Sequence, residues 1–322
     1  MSLDQMKVFN EYFMPATIET LAQMIDKFNA ASNNTIRLTA EGFDGDFMQE
    51  SFFQALGAAR RRVDRYAANA AVAPVDLEEL QKDGVKVAGG FGPVRYEPSQ
   101  MGWLNRPSVQ GIETASREFA SYMLQDELNT AIASVTAAIE NNAATTNDVS
   151  ATGPVSYAAM NQAHAAFGDR SGMLAASVMD GATMHKLIGQ NLTNAERLFQ
   201  ADGVRVVDIL GRAVVVTDAP ALYEAGAPNK SKILSLCEGA VTIYDPSDVI
   251  TNIDTSNGNQ RIETTFQSDY SFGVALKGYS WDVANGGKSP DDAELATGSN
   301  WDKVVADDKH TAGVLTIGDA AG

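Results

Sequence analysis

The sequence predicts an α+β fold, and three observations lead to it. Apolar residues keep a three-four spacing from residue 107 to about 142, the mark of one very long helix. A stretch rich in glycine and proline, 76–106, precedes it with strand-like pieces, and strand-rich sequence returns from 251. Between the two, 154–250 alternates helical and strand patterns. Runs of strand and runs of helix in separate blocks are the pattern of α+β architecture. The 322 residues correspond to about two ordinary domains or one elaborated one.

Taken in order, Ile18, Leu21, Ile25 and Phe28 follow helical spacing, and Thr35–Thr39 alternates like a short strand. Asp44 or Asp46 is placed to cap a first helix carrying Phe47, Phe52, Phe53, Leu56, Val63 and Tyr66, with Arg60, Arg61, Arg62 and Arg65 in the same segment. Residues 76–106 hold Gly84, Gly89, Gly90, Gly92, Gly102, Pro93 and Pro98, and read as a long two-stranded excursion. Such a segment is poor at making its own core and needs a neighbour. Pro107 and Ser108 open the long helix, whose buried face runs through Ile112, Ala115, Phe119 and Tyr122 to Leu128, Ala131, Ile132, Val135 and Ile139. At 1.5 Å per residue it forms a rod of about 45 Å. The polar tract Asn141–Asp148 ends it.

The block 154–250 offers a helix over Tyr157–Phe167, a strand over Ala175–Met179 and a helix through Met184, Leu187 and Ile188. Four strand segments follow, Gly203–Val206, Ile209–Val216 with a tight turn at Gly211, Ile233–Cys237 and Ala240–Tyr244, giving a module with its own core. Asn257-Gly258 signals a hairpin, after which Arg261–Gln267 and Tyr270–Tyr279 alternate. A Gly/Asp/Ser stretch, 285–299, leads to a last apolar segment, Val314–Ile317.

Composition excludes several functions. With 24 basic against 41 acidic side chains the formal charge is −17, unsuited to coating nucleic acid or an anionic membrane. One cysteine, Cys237, excludes an internal disulfide framework and a multi-cysteine zinc site, and His164, His185 and His310 are too scattered for a metal motif. No cofactor or metal is expected. Met1–Lys7 lacks the pattern of a signal peptide, and no apolar run reaches bilayer length, so the expectation is a soluble protein kept in a reducing cytoplasm.

Candidate chemistry fails residue by residue. Gly286-Gly287-Lys288-Ser289 matches the end of a phosphate loop, but Asp282 stands where its first glycine belongs, so a surface turn is the better reading. Gly168–Gly172 lacks the spacing of a nucleophile elbow around Ser171. Cys237 sits in an apolar strand that would raise its pKa rather than activate it. Glu78-Glu79 and Asp291-Asp292 read as solvated turn carboxylates. Two Trp-Asp dipeptides, at 281 and 301, are too few to build a propeller. The arginines at 60–65 form the single basic concentration, either a solvated helix face or a contact for an acidic patch on another subunit, with nucleic acid a distant third. No catalytic constellation emerges, although a soluble α/β hydrolase centred on His164 and Ser171 is the alternative from a different class.

The order of parts resembles the major capsid proteins of tailed bacteriophages, whose Hong Kong 97-type shell fold is shared with encapsulins. Ser177-Val178-Met179-Asp180-Gly181-Ala182-Thr183-Met184-His185-Lys186-Leu187 is similar to that family's strand-to-helix segment in the axial domain. The run from Gly203 to Pro220, with Leu210-Gly211, the apolar Ala213–Val216 and Asp218 before the proline, is similar to another of its signatures. Asn300–Val304 with His310–Leu315 resembles the C-termini of one group.

The resemblance implies a fold with N-terminal arm, extended loop, long spine helix, peripheral domain and axial α/β domain. It makes 1–75 the arm and first helix, 76–106 the extended loop and 107–153 the spine helix of the peripheral domain. Residues 154–250 become the axial domain, and 251–322 the returning strands of the peripheral domain with the C-terminal tail. It further implies a protein that is not an enzyme, self-assembling as pentamers and hexamers into an icosahedral shell around double-stranded DNA. Assembly would take place in the host bacterial cytoplasm, with a separate scaffolding protein, a portal and decoration protein as further partners. An encapsulin-type nanocompartment is the alternative within the fold. Contact candidates between subunits are Arg60, Arg61, Arg62, Arg65, Lys82, Lys86 and Trp103. Lys82 and Lys86 lie in the loop without an identifiable asparagine partner, which argues against covalent crosslinking. An acidic lining that does not grip the genome agrees with the net charge.

Overall fold

The structure is a computed structural model that describes residues 29, 32–39, 45–53, 61–66, 68, 71, 72, 74, 79–96, 108–192, 201, 202, 205–207, 212–244, 249–258, 260 and 262–321. The expectations placed on Ile18, Leu21, Ile25, Phe28, Arg60, Trp103 and Gly211 lie outside these residues.

The long helix, α1, runs Ser108–Glu140, 33 residues or about 50 Å. Phe119, Ala120 and Met123 bury one stripe of it, whereas Tyr122, expected on that face, is 57% exposed because the stripe turns toward Ala120 and Met123; from Ser134 to Ile139 every side chain is buried. Two hydroxyls in that dry stretch are satisfied by the helix itself, Ser134 Oγ donating to Thr130 O at 2.8 Å and Thr136 Oγ1 to Ile132 O at 2.6 Å. Gly298, in the turn 298–300, explains the closeness of packing there. A Cβ on it would stand 2.6 Å from the Ala137 carbonyl oxygen.

Beside α1 lies a six-stranded sheet made of β1 (Ile36–Thr39), β2 (Phe47–Phe53), β3 (Glu79–Tyr96) and three later strands. The first helix expected over 47–66 is therefore corrected. Residues 47–53 are a strand antiparallel to β3, Phe47 opposite Val85 and Phe53 opposite Glu79, and 61–66 are irregular. The spacing of Phe47, Phe52, Phe53 and Leu56 keeps neither period cleanly, and a remote partner settled the matter. The two-stranded excursion consequently starts earlier than expected. It is the β2–β3 hairpin, with 54–78 as its connection.

The expectation that 76–106 lacks a core is corrected too. Glu79–Tyr96 is one unbroken 18-residue strand, and Val85 and Val87 along it are buried. Glycine does not break it because Gly89 lies opposite Tyr270, whose ring covers the missing side chain; a Cβ there would meet the ring at 2.7 Å. Phe91 stacks on Tyr270 at 5.6 Å and meets Phe119 of α1 edge-on at 5.3 Å, which fastens the far half of β3 to the helix.

An eight-stranded sheet follows: β4 (Thr146–Asp148), β5 (Leu174–Met179), β6 (Ala201–Asp202), β7 (Arg205–Val207), β8 (Ala213–Val216), β9 (Tyr223–Glu224), β10 (Lys230–Cys237) and the final strand. Helices α2 (Tyr157–His164) and α3 (Gly181–Leu192) and the 3-10 segment Ala165–Met173 accompany it. A short turn carries the chain from β10 into β11 (Val241–Tyr244), which crosses to the six-stranded sheet and pairs parallel with β1. There β12 (Ile250–Ser256) and β13 (Glu263–Leu276) complete the set, in the order β1-β11-β13-β3-β2 with β12 on β13. The expected runs Arg261–Gln267 and Tyr270–Tyr279 are joined from Glu263 to Leu276 as β13, and Tyr279 falls in the next strand.

The C-terminal segment forms a small ribbon of β14 (Tyr279–Trp281) and β15 (Trp301–Lys303), with short helices α4 (Val283–Gly286) and α5 (Asp292–Leu295) between. The Trp-Asp dipeptides serve this ribbon. Trp281 and Trp301 face each other across it, buried, with ring centres 4.9 Å apart. Asp282 caps α4, and Asp291, expected as a solvated turn carboxylate, closes a capping box with Glu294. β16 (Gly313–Asp319) then inserts between β4 and β10. The last strand thus joins the eight-stranded sheet, not the strands of 251–276, because both its neighbours offer unpaired edges to an apolar segment buried on both faces.

One apolar cluster joins the two sheets through α1. Leu234, Leu236 and Leu315 of the larger sheet pack with Val85, Phe272 and Val274 of the smaller. Block 154–250 accordingly has smaller clusters of its own, around Met160 and Phe167, but shares its main core with the rest of the chain.

Candidate assembly surfaces

The hairpin connection presents the basic cluster to solvent. Arg61, Arg62 and Arg65 are all exposed, and none has a partner among the described residues. Tyr66 beside them is 93% exposed and Val63 68%, while Asp64 Oδ1 accepts from the Tyr66 amide at 2.9 Å and shapes the turn. Large apolar side chains this open, rimmed by arginine, are the composition of an interface. Lys82 is held within the hairpin, 3.5 Å from Glu50 across the strand pair. Lys86 is half-buried opposite Gly273, farther along β3. The structure therefore gathers the arginines on the connection and places the two lysines in the strand behind it.

The hydrolase alternative finds no support in the geometry. His164 is buried, with Nε2 2.8 Å from Ser235 Oγ and Nδ1 2.9 Å from Arg212 Nη1. A guanidinium only donates, so Nδ1 accepts, and Nε2–H is left to donate to the serine. That is the reverse of a general base, and a cation stands where a triad has its carboxylate. Burial, helped by Arg212, lowers the imidazole pKa to about 4. Ser171 offers Arg212 its backbone carbonyl at 2.9 Å. Cys237 is buried and burial raises its pKa, as expected of an inert thiol. Gly286-Gly287-Lys288-Ser289 is a turn: the Gly286 amide donates to the Asp282 carbonyl, and the Gly287 carbonyl accepts from Trp281 Nε1 at 2.9 Å.

A second charged centre ties α1 to the larger sheet. Lys232, on β10, is buried with Glu140 Oε2 at 2.8 Å and Glu224 Oε2 at 3.0 Å. Burial alone would lower its pKa, but the two carboxylates outweigh that and raise it. Sequence reading missed this centre, since its members come from three remote segments. It also missed a cleft of about 440 Å³ between α1, the turn Pro220–Leu222 and α5, where Asp126 and Asp292 meet.

The family model Gp13-like, major capsid protein 13-like, matches residues 5–315. The chain belongs to that family. As a major capsid protein it has a structural role in the phage capsid. No curated protein matches it significantly. Among solved structures, the cyanophage Pam1 capsid asymmetric unit is similar at a TM-score of 0.53 and 14% identity, over 89% of both chains. The acidic stable capsid of Helicobacter pylori bacteriophage KHP30 is similar at 0.52 and 11%, over 91% of both. At these identities the likeness concerns the fold, which is of the Hong Kong 97 type. Sequence likeness is faint, yet the alignment covers nearly the whole chain.

Proposed function

We propose that this major capsid protein assembles as pentamers and hexamers into an icosahedral shell that encloses the double-stranded DNA of a tailed phage. The family match over residues 5–315 carries this reading. In it the protein is not an enzyme and uses no cofactor. The shell assembles in the host bacterial cytoplasm with a separate scaffolding protein, and portal and decoration proteins complete the particle. Arg61, Arg62 and Arg65, together with Arg60, Lys82, Lys86 and Trp103, contribute contacts between subunits. The exposed arginines and Tyr66 support this, because a −17 chain offers many carboxylates as partners.

Expression followed by gradient sedimentation and negative-stain microscopy tests the proposal. Closed particles or large capsomers are expected, and a stable monomer under all conditions would refute it. DNA in particles from infected cells separates a phage shell from a cargo-filled nanocompartment.

A further inference from the structure

A buried histidine and an arginine form the joint that holds the 3-10 segment Ala165–Met173 on the larger sheet. His164, the last residue of α2, is 3% exposed. Arg212, just before β8, brings Nη1 to 2.9 Å from the ring's Nδ1 and 3.1 Å from its Nε2. Nη2 of the same guanidinium donates to the Ser171 carbonyl at 2.9 Å, and Ser235 Oγ of β10 meets Nε2 at 2.8 Å. An added proton would therefore stand beside a fixed cation whichever ring nitrogen took it, and burial denies the second charge its water. The surroundings offer no counterion. α2 has no charged side chain other than His164, and β5 and β8 have none. β10 turns Ser235 and the Cys237 thiol this way, while its Lys230 lies at the far end, close to Asp148 of β4 and opposite Asp319 of β16. Asp169 and Arg170 of the 3-10 segment are engaged on the rim, with Lys309 at 2.7 Å and His310 at 3.1 Å. Lys277 is a further cation, acting with Arg212 on Cys237. Beneath the segment, fully buried Phe167 packs with Leu174, Cys237 and Val314 in a small cluster separate from the main core.

We propose that the His164–Arg212 joint is an acid-operated latch. Protonation of His164 drives Arg212 off, frees the Ser171 carbonyl and lets residues 165–173 lift with Phe167, uncovering Cys237 while the main core stays folded. The separate cluster under the segment is what allows a local opening of this kind. The folded ring has a pKa of about 4 against 6.5 for an ordinary histidine, because it is buried beside Arg212. The open form thus binds the proton more readily, and between those values each unit of falling pH favours opening by up to about tenfold. Above that range both forms hold a neutral ring and the latch is shut. All its parts belong to one chain, so it works in a single subunit with or without a shell.

Cys237 is the single thiol of the chain, so its reactivity reads the latch in the full-length, unassembled protein. The probe is 4,4′-dithiodipyridine, which reacts with thiols even in weak acid and releases one thiopyridone for each mixed disulfide formed. Rates are divided by that of the urea-unfolded chain at the same pH, which removes the thiol's own pH dependence. Between about pH 7.5 and about pH 4.5 the relative rate of the wild type should rise about tenfold or more. In His164→Gln the amide oxygen can accept from Arg212 and the amide N–H₂ can donate to Ser235, without titrating, so the rate should stay low at both. His310→Gln, on the exposed rim, should rise as the wild type does. A flat wild-type rate, a rise kept in His164→Gln or a rise lost in His310→Gln would each overturn the latch. Loss of the far-UV circular dichroism in step with thiol exposure would overturn it too, since that is global unfolding. Should His164→Gln fail to fold, proton NMR of the wild-type rings decides: one of the three titrating near pH 4 supports the latch, and three ordinary titrations overturn it. Every one of these outcomes leaves the capsid reading intact.

Discussion

Replacing Lys232 with methionine removes one buried charge while keeping most of its volume. The cation makes two short bonds, 2.8 Å to Glu140 and 3.0 Å to Glu224. Fully buried, each would contribute about 1.5–3 kcal/mol. Their carboxylates, however, are 36% and 47% exposed, so solvent screening reduces each to about 0.5–1 kcal/mol. After the change both carboxylates can rehydrate, and no buried charge is stranded. A net loss of about 1–2 kcal/mol follows, or about 1.5–3 °C in Tm for a chain of this size. The pH dependence is the sharper test. The Glu224 pKa is lowered from 4.5, chiefly by its bond to Lys232. A depressed carboxylate contributes stability that is complete above its unfolded value and is lost as pH falls through the folded one. The gap between wild type and Lys232→Met should therefore be full at pH 7 and shrink below about pH 4. Thermal denaturation of the unassembled subunit, followed by circular dichroism, reads both. Equal stability at pH 7 would show that desolvating the ammonium cancels its bonds. A gap undiminished near pH 3 would show that packing, not charge, held the site.

Three further outcomes are expected. Gly298→Val should destabilise the subunit by about 2–4 kcal/mol, since its Cβ would stand 2.6 Å from the Ala137 carbonyl in the most tightly buried part of α1; denaturant unfolding measures this. Replacing 54–78 with a short Gly/Ser turn should leave a folded subunit that no longer closes shells, whereas replacing 76–106 should abolish folding with Val85 and Val87, as proteolysis and circular dichroism would show. The isolated subunit should bind no duplex DNA near physiological salt: anisotropy of a labelled duplex should stay flat through tens of micromolar protein, where basic proteins bind at about 10⁻⁴–10⁻⁶ M. A micromolar, salt-sensitive curve would make the arginine connection a nucleic-acid site.

The long helix was legible because its pattern is local: nine apolar positions from Ile112 to Ile139 keep one spacing without outside help. β13 was legible for the same reason, as a period of two. Failures came where a distant partner decided. Phe47–Phe53 looks helical until β3 is set beside it. Gly89 looks like a breaker until Tyr270, far along the chain, lays its ring over it. The destination of β16 depends on which edges β4 and β10 leave open, and no property of Gly313–Asp319 states that. The arginines at 60–65 were visible as composition, but the cleft was not, because Asp126, Pro220 and Asp292 meet only in three dimensions.

The Trp281–Trp301 pair has an optical consequence. The protein has three tryptophans, and these two sit in one dry pocket, each indole N–H bonded to a backbone carbonyl of the same small ribbon, Gly287 and Leu295. Indoles so enclosed emit at short wavelength and shift to the red when water reaches them. The ribbon lies against the fully buried end of α1 through the turn that holds Gly298. Unlabelled protein therefore carries its own fluorescent gauge of that joint, readable in intact particles as they form and as they are pulled apart.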